Sequence, residues 1–501
     1  MNPGRRRRTI ALMKRARIVL SALVVVSWGS STAAPPGANG GGAGGAAGAA
    51  GATGTSGSSG ASGGGGAGIL VPGDLGPAPA SGVIDHSGPG GGVVGPVPSG
   101  ALSDATWTAS GCGDVPLAVG VTDAAWSSEV YDDAPSPYAV HASFRFESAT
   151  SLSVVWETGP GTRASWLAIG ESPTKLDRFV PGVSFTYGTK LLDKAMPLRV
   201  HEAHVCGLTP NRTYYFAVGG DGYYGQVYPV KTAPAKADEA PFRIGVFGDS
   251  NNLVYADFKV VVEKMRAQAP DFIAFTGDLV HDGAIQSQWD LWFAAAGDLF
   301  ARAPIMAAHG NHEAMATAYF AQFAQPGNEE YYSFDYGNTH FVVLNDSPPM
   351  DSEIDLEAAF ADQDFAAALA RPTPPRWLVA MHHRPPYSSA TSNLNVRAKL
   401  TPIYDKYHVD LVLNGHEHAY ESTLPINGGK AVKDYAAGTL YITTGGAGGL
   451  LNLPTFTQES WSRKYLPAYN YVTVDVAGPK LTVSAFANDG SAIEAPIVLT
   501  K

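Results

Sequence analysis

The sequence predicts an α/β domain preceded by a smaller all-β module. Three observations carry this. Apolar residues alternate with period two between Pro137 and Pro234, apolar runs alternate with helix-like stretches after Ala240, and residues 35–101 hold too few large apolar side chains to belong to either unit. A chain of 501 residues exceeds one ordinary domain, so two or three units are expected.

The N-terminus opens with Arg5 to Arg8 and Lys14 to Arg17. An apolar run follows from Ile18 to Trp28, then small residues at Ser31 to Ala34. That order of charge, apolar stretch and small residues is that of a secretory signal peptide, assigned here to residues 1–34. The apolar run is shorter than the roughly 20 residues that span a bilayer, so no membrane span is expected once the signal is removed. An exported protein is the expectation: periplasmic, secreted or at the cell surface. Residues 35–101 are Gly, Ala, Ser and Pro and cannot bury enough surface to offset the entropy of ordering, which reads as a disordered linker.

Residues 1–34 carry seven Lys or Arg and no acid, so the remainder has 27 basic against 45 acidic residues, a net charge of −18. Such a surface repels nucleic acid and membrane phosphates at long range, so no nucleic-acid partner is expected. A small anionic substrate stays open, because bound metal ions would dominate the local field. The two cysteines, Cys112 and Cys206, would lie in an oxidising compartment if the chain is exported. They either form one disulfide or remain two buried thiols.

In the all-β module, assigned to residues 102–236 with an N-terminal extension, runs such as Leu152, Val154 and Trp156, or Tyr214, Phe216 and Val218, have the alternation of half-buried strands. The α/β domain is assigned to residues 240–501. Its apolar runs each end in side chains that can bind metals. Ile244 to Phe247 leads into Asp249. A helix-like stretch, Tyr255 to Ala269, returns the chain to Phe272 to Thr276, which leads into Asp278. Strand, crossover helix and strand make adjacent parallel strands, so both carboxylates should emerge at one sheet edge. Pro304 to Ala308 leads into Asn311, His312 and Glu313. Trp377 to Met381 leads into His382 and His383, and Val409 to Leu413 into His416 and His418. A neutral Asn carbonyl can complete a site crowded with carboxylates, and two His one residue apart on a loop can send ring nitrogens to a common centre.

The ordered set GDS, GDLV, GNHE, HHRPPY and GHEH resembles the calcineurin-like metallophosphoesterases, and within them the purple acid phosphatases. The stretch Gly207 to Gly219 is similar to the fibronectin type III-like domain that precedes the catalytic domain in the plant-type enzymes. The resemblance spans about residues 137–498. It implies a four-layer αββα sandwich with two metal ions (Fe, Mn or Zn) at the strand ends. One ion would take Asp249, Asp278 and His418. The other would take Asp278, Asn311, His383 and His416, with Asp278 bridging. It also implies that His312 supplies or supports the proton taken up by the leaving alcohol, and that a small phosphate ester is the substrate, attacked by a metal-bound hydroxide. His383 is preferred over His382 because the family ligand stands two residues before the proline, here Pro385.

One position departs from the family. Its ferric ligand is a tyrosine three residues after the bridging aspartate, where this chain has His281. His281 is expected as a seventh ligand; it cannot give the tyrosinate charge transfer behind the purple colour, and it favours divalent ions. Arg384 and Tyr387 could line the pocket. Phosphomonoester hydrolysis is the leading expectation. Alternatives are phosphodiester hydrolysis by the same centre, or a non-catalytic cell-surface binding protein built around the β module and tether.

Overall fold

The computed structural model describes residues 102–126, 128, 130–132, 135–188, 197–220, 223–236, 238–347, 354–452 and 457–501. The signal peptide and the linker expected from the sequence lie outside the described residues. Among those described, no helix is long and apolar enough to cross a membrane.

The β module contains two five-stranded antiparallel sheets. One runs in the order Val121–Trp126, Val183–Tyr187, Arg199–Cys206, Ser151–Thr158, Tyr138–Ser143. The other is centred on Thr213–Gly220, which pairs with Tyr223–Tyr224, Tyr228–Lys231 and Trp166–Gly170, and the last of these pairs with Arg178–Pro181. Alternation along the strands explains the core: Leu152, Val154 and Trp156 of one sheet meet Leu167, Ile169, Phe216 and Val218 of the other. The extension forms a hairpin of Leu102–Ala109 and Gly113–Ala118, an element the sequence reading did not assign. Cys112, just after its first strand, is bonded to Cys206 at the end of Arg199–Cys206. This resolves the two cysteines as a disulfide that pins the extension to the module.

The α/β domain holds two mixed sheets. Ile305–Ala307, Phe272–Phe275 and Phe242–Phe247 run parallel, and Asn470–Ala477, Lys480–Ala487 and Ile497–Thr500 continue that sheet antiparallel. The second sheet is built on the parallel strands Thr339–Val343, Trp377–Met381, Leu411–Asn414 and Leu440–Thr444, with Tyr332–Tyr336 at one edge and Tyr420–Thr423 and Ser462–Leu466 at the other. Inward-facing Val246, Phe272, Ala274 and Val474 share one core with Val343, Val379, Met381 and Leu413. The opposite faces are covered by helices. Phe247, Ile273 and Phe275 pack on Phe258, Val261 and Met265 of helix Ala256–Ala267 and on Trp292 of helix Gln286–Ala296. Leu378, Ala380 and Val412 pack on Phe360 and Phe365 of helix Ile354–Leu369 and on Leu400 and Tyr404 of helix Leu394–Tyr407. Period-two strands covered on both faces produce the four expected layers.

The β module is seated on the segments that follow the metal-capable loops. On or next to strand Tyr138–Ser143, the side chains of His141, Ser143 and Arg145 bond the carbonyl oxygens of Gln322, Ala324 and Gln325, and Arg145 is paired with Glu329. Beside them Glu157, fully buried, accepts hydrogen bonds from Gln322 and from Gln286. Burial, then the nearby Asp290 charge, pushes Glu157 up to about 8, against the pull of Gln322, Tyr138 and Gln286.

A carboxyl raised in the folded state binds a proton that the unfolded chain has already released between its ordinary pKa of about 4.3 and 8. Its contribution to stability is therefore full at acid pH and is lost as pH rises through that window. Glu157→Gln should raise the Tm at pH 8 relative to wild type and flatten the fall in Tm between pH 5 and 8, by an amount equivalent to a few kcal/mol at most. Thermal unfolding across that pH range checks it; parallel profiles for the two proteins would contradict it.

Candidate metal centre

The expected strand ends converge. Helix Ala256–Ala267 connects Phe242–Phe247 to Phe272–Phe275 as a crossover between parallel neighbours, and Asp249 and Asp278 emerge together. Ligand atoms of Asp249, Asp278 and His418 lie within 4.8 Å of one another, as do those of Asp278, His383 and His416. Asp278 belongs to both groups. The Asn311 Oδ1 atom lies 3.1 Å from His383 Nε2, which brings the amide oxygen to the second group.

These loops are tightly made. Asp249, Asp278 and His416 have φ of 62°, 55° and 67°, a left-handed conformation that is costly for residues other than glycine. Their neighbours must be small: a Cβ on Gly310 would lie 2.2 Å from the Asp278 nitrogen, and one on Gly415 2.2 Å from Asp249 Oδ2. The buried Glu313 carboxylate joins two of the loops. Its Oε2 accepts from the Asp278 and Gly310 N–H groups at 2.9 and 2.8 Å, and its Oε1 from those of Leu279 and Val280 at 2.9 and 3.3 Å. The His312 N–H then donates to Asp278 Oδ1 at 2.9 Å, and the His416 N–H to both oxygens of Asp249 at 2.8 and 2.9 Å. Neither carboxylate is free to turn.

Tautomers follow from the far side of each ring. His383 Nδ1 donates to the Thr276 carbonyl at 2.9 Å, and His418 Nδ1 to the Leu450 carbonyl at 2.7 Å. A carbonyl oxygen can only accept, so in each neutral ring the proton sits on Nδ1 and the Nε2 lone pair faces inward. There His383 Nε2 meets Asp278 Oδ2 at 3.3 Å and His416 Nδ1 at 3.2 Å, and His418 Nε2 meets Asp249 Oδ1 at 3.5 Å. A lone pair facing a carboxylate oxygen, as at His383 and His418, is unfavourable unless positive charge lies between.

The titration directions agree with that charge demand. Burial opposes a proton on His383, but Asp278 and then Asp249 reverse this and raise it to about 10. Burial, then the His383 charge, lowers His416 to about 3. Asp249 is raised by burial, whereas for Asp278 the burial effect is overcome by His383 and His312, leaving it below the usual carboxylate range. The carboxylates thus require a cation where they meet, and the hard oxygen and imidazole donors suit Fe, Mn or Zn. The residues fit a pair of such ions.

Two other expected residues flank the groups. His312 Nδ1 donates to the His281 carbonyl at 2.7 Å, and its Nε2 stands 3.8 Å from Asp278 Oδ2. The His281 ring is exposed and joins neither group, its centroid 5.1 Å from that of His312. Its place in the turn after Asp278 gives it a backbone part in holding His312. Tyr387 is buried against Tyr441 and Trp461 and does not face the pocket. Arg384 donates its N–H to Asp346 at 2.7 Å, and the same carboxylate binds His382 Nδ1 at 2.7 Å. His382 is therefore a buried support beside His383. The sequence reading missed Asp346 and the four-fold acceptor role of Glu313. The only sequence signal was an acid at fixed spacing, three residues after Gly310 or just past strand Thr339–Val343.

Comparison with known proteins agrees with this architecture. Residues 242–420 match the family model of the calcineurin-like phosphoesterases, and residues 137–232 that of the purple acid phosphatase N-terminal domain. Purple acid phosphatase 21 of Arabidopsis thaliana is 29% identical over 332 residues, covering 62% of this chain and 71% of that one. An uncharacterised protein of Mycobacterium tuberculosis is 26% identical over 377 residues, 63% of this chain and 70% of that one. A purple acid phosphatase from yellow lupin seeds superposes with a TM-score of 0.63 at 18% identity, covering 73% of this chain and 74% of its own, and PhoD with 0.54 at 13%, covering 73% and 89%. At those identities the two structures attest the fold.

Glu313→Gln keeps the shape of the side chain but sets an NH₂ donor against two backbone N–H donors. Metal affinity and kcat/KM should fall about ten- to hundred-fold while the chain remains folded. Metal content after dialysis, read beside circular dichroism, checks this; a variant with wild-type metal retention would contradict it.

Proposed function

The chain is a purple acid phosphatase-like member of the calcineurin-like metallophosphoesterases and a phosphoric ester hydrolase, and from that premise we propose that it is exported and hydrolyses phosphate monoesters at a centre of six ligands. In this reading Asp249, Asp278 and His418 hold one ion, and Asp278, Asn311, His383 and His416 hold the other. The observation that carries it is the set of inward-facing imidazole lone pairs opposed to two immobilised carboxylates. His281 is left out of the ligand set because its ring is exposed and belongs to neither group.

Two ions bound there would supply Lewis acidity toward the phosphoryl oxygens and make water a usable nucleophile near neutral pH. In the overall reaction a P–O bond to water forms, the P–O bond to the alcohol breaks, and the alcohol departs with a proton. His312 is assigned to that proton. With Nδ1–H committed to the His281 carbonyl, Nε2 is the nitrogen that can carry the proton and deliver it to the leaving oxygen. Glu313 acts through the backbone: it fixes the loop that presents Asp278 and the N–H of Gly310 in the loop that presents Asn311 and His312. Export is supported by the signal-like N-terminus and by the Cys112–Cys206 bridge, since disulfides persist in oxidising compartments.

Asp278→Asn removes the charge shared by both groups, so turnover below a tenth of wild type is expected; a variant retaining more would contradict the bridging role. Parallel assays with an aryl phosphate and a bis-aryl phosphate decide between monoester and diester, the monoester being turned over faster if the proposal holds. Hydrolysis of neither by fully metallated protein would return the chain to a binding role. Metal analysis with a visible spectrum should give two ions per chain and no tyrosinate-to-iron charge-transfer band.

A further inference from the structure

Two loops that border the centre carry aliphatic side chains that the core does not use. Leu450 is 84% exposed, Val254 74% and Leu253 59%, among the most exposed large apolar residues described. Scattered exposed leucines need no explanation, but these stand on two loops bonded to one another. Asn252 Nδ2 donates to the Gly448 carbonyl at 3.2 Å, and the Gly449 N–H to the Asp249 carbonyl at 2.7 Å. The Leu450 carbonyl is the acceptor that sets the His418 tautomer. A Cβ on Gly449 would lie 2.6 Å from both Asn251 Oδ1 and His418 Cε1, so this backbone runs against the ligand ring with Asn251 beside it. The polar bonds and buried Tyr255 and Ala447 hold the two loops in place. Leu253, Val254 and Leu450 add nothing to that packing and remain in water at the edge of the centre.

We propose that Leu253, Val254 and Leu450 form an apolar lip beside Asp249 and His418 that receives the leaving group, so that the preferred substrates are phosphate monoesters of apolar, chiefly aromatic, alcohols. The inference rests on the monoester reading of the same centre. It names a small soluble ester rather than a membrane lipid, because the chain's net charge of −11 opposes approach to an anionic bilayer. Burying an aromatic leaving group against three aliphatic side chains removes apolar surface from water on both partners, a gain that a polar alcohol cannot make.

Steady-state kinetics with 2-naphthyl phosphate and phosphotyrosine, whose phenolate leaving groups are of similar basicity, read this preference. Wild type should favour the naphthyl ester in kcat/KM. Leu253→Ser combined with Leu450→Ser should cut that preference about ten-fold, the scale of a few apolar contacts, and mainly through KM. Calorimetric binding of 2-naphthylmethylphosphonate against methylphosphonate makes the same comparison without turnover, and an unchanged Tm shows the double variant is folded. Equal kcat/KM for the two esters in wild type, or a preference unchanged in the variant, overturns the lip. Naphthyl preference in phosphonate binding without hydrolysis of any ester would sustain the lip and overturn the hydrolase reading instead.

Discussion

The buried Glu313 carboxylate is the constraint on which the rest of the centre depends. It spends both oxygens on four backbone N–H groups from the loops that follow two neighbouring parallel strands, Phe272–Phe275 and Ile305–Ala307. Without that carboxylate those N–H groups would be buried without these acceptors, each at a cost of roughly 1–3 kcal/mol. Meeting them with one carboxylate fixes the left-handed turn at Asp278 and sets the Gly310 backbone so close to it that no side chain fits there. Burial and the Asp278 charge push Glu313 up to about 8, opposed by the His383 charge and by the same N–H donors.

From that junction the organisation extends outward. His312 follows Asn311 in the loop that Glu313 gathers, donates its N–H to Asp278, and has its ring oriented by the His281 carbonyl. The segments leaving both loops become the helices Gln286–Ala296 and Thr317–Gln322, and these carry Gln286 and Gln322 to Glu157 of the β module. The module thus contacts the catalytic domain behind the metal loops rather than at their mouth. Polar groups buried in its interface, beside aromatic contacts such as Phe144 with Tyr336, make the seating specific: His141, Ser143 and Arg145 each meet a carbonyl oxygen.

Much of this was legible beforehand. The strands leading to Asp249, Asp278, Asn311, His383 and His416 were found within one or two residues of their observed bounds because short apolar runs ending in Gly, His or Asn punctuation are strong signals. The division of ligands into two groups sharing Asp278 was implied by the family resemblance and recurs in the geometry. The exposed position of His281 was not legible, since a residue three positions after a ligand can turn either way and only its loop decides. The direction of Tyr387 was open for the same reason: its ring is drawn into an aromatic cluster with Tyr441 and Trp461, partners far away in sequence. The N-terminal hairpin was overlooked because its strands follow a glycine-rich stretch whose composition dominates that region.

By itself the sequence determined the classes of element, the order of metal-capable residues at the strand ends, and the acidic balance of the chain. These depend on local period, composition and spacing, which are properties of a chain before it folds. Only the tertiary structure decided which nitrogen of His383 and His418 faces inward, that Glu313 and Asp346 hold the ligand loops, that the two cysteines are joined, and that the loops carrying Leu253 and Leu450 are bonded to one another. Those features depend on carbonyls, amides and side chains brought together from distant segments, and no local pattern encodes which of them will meet.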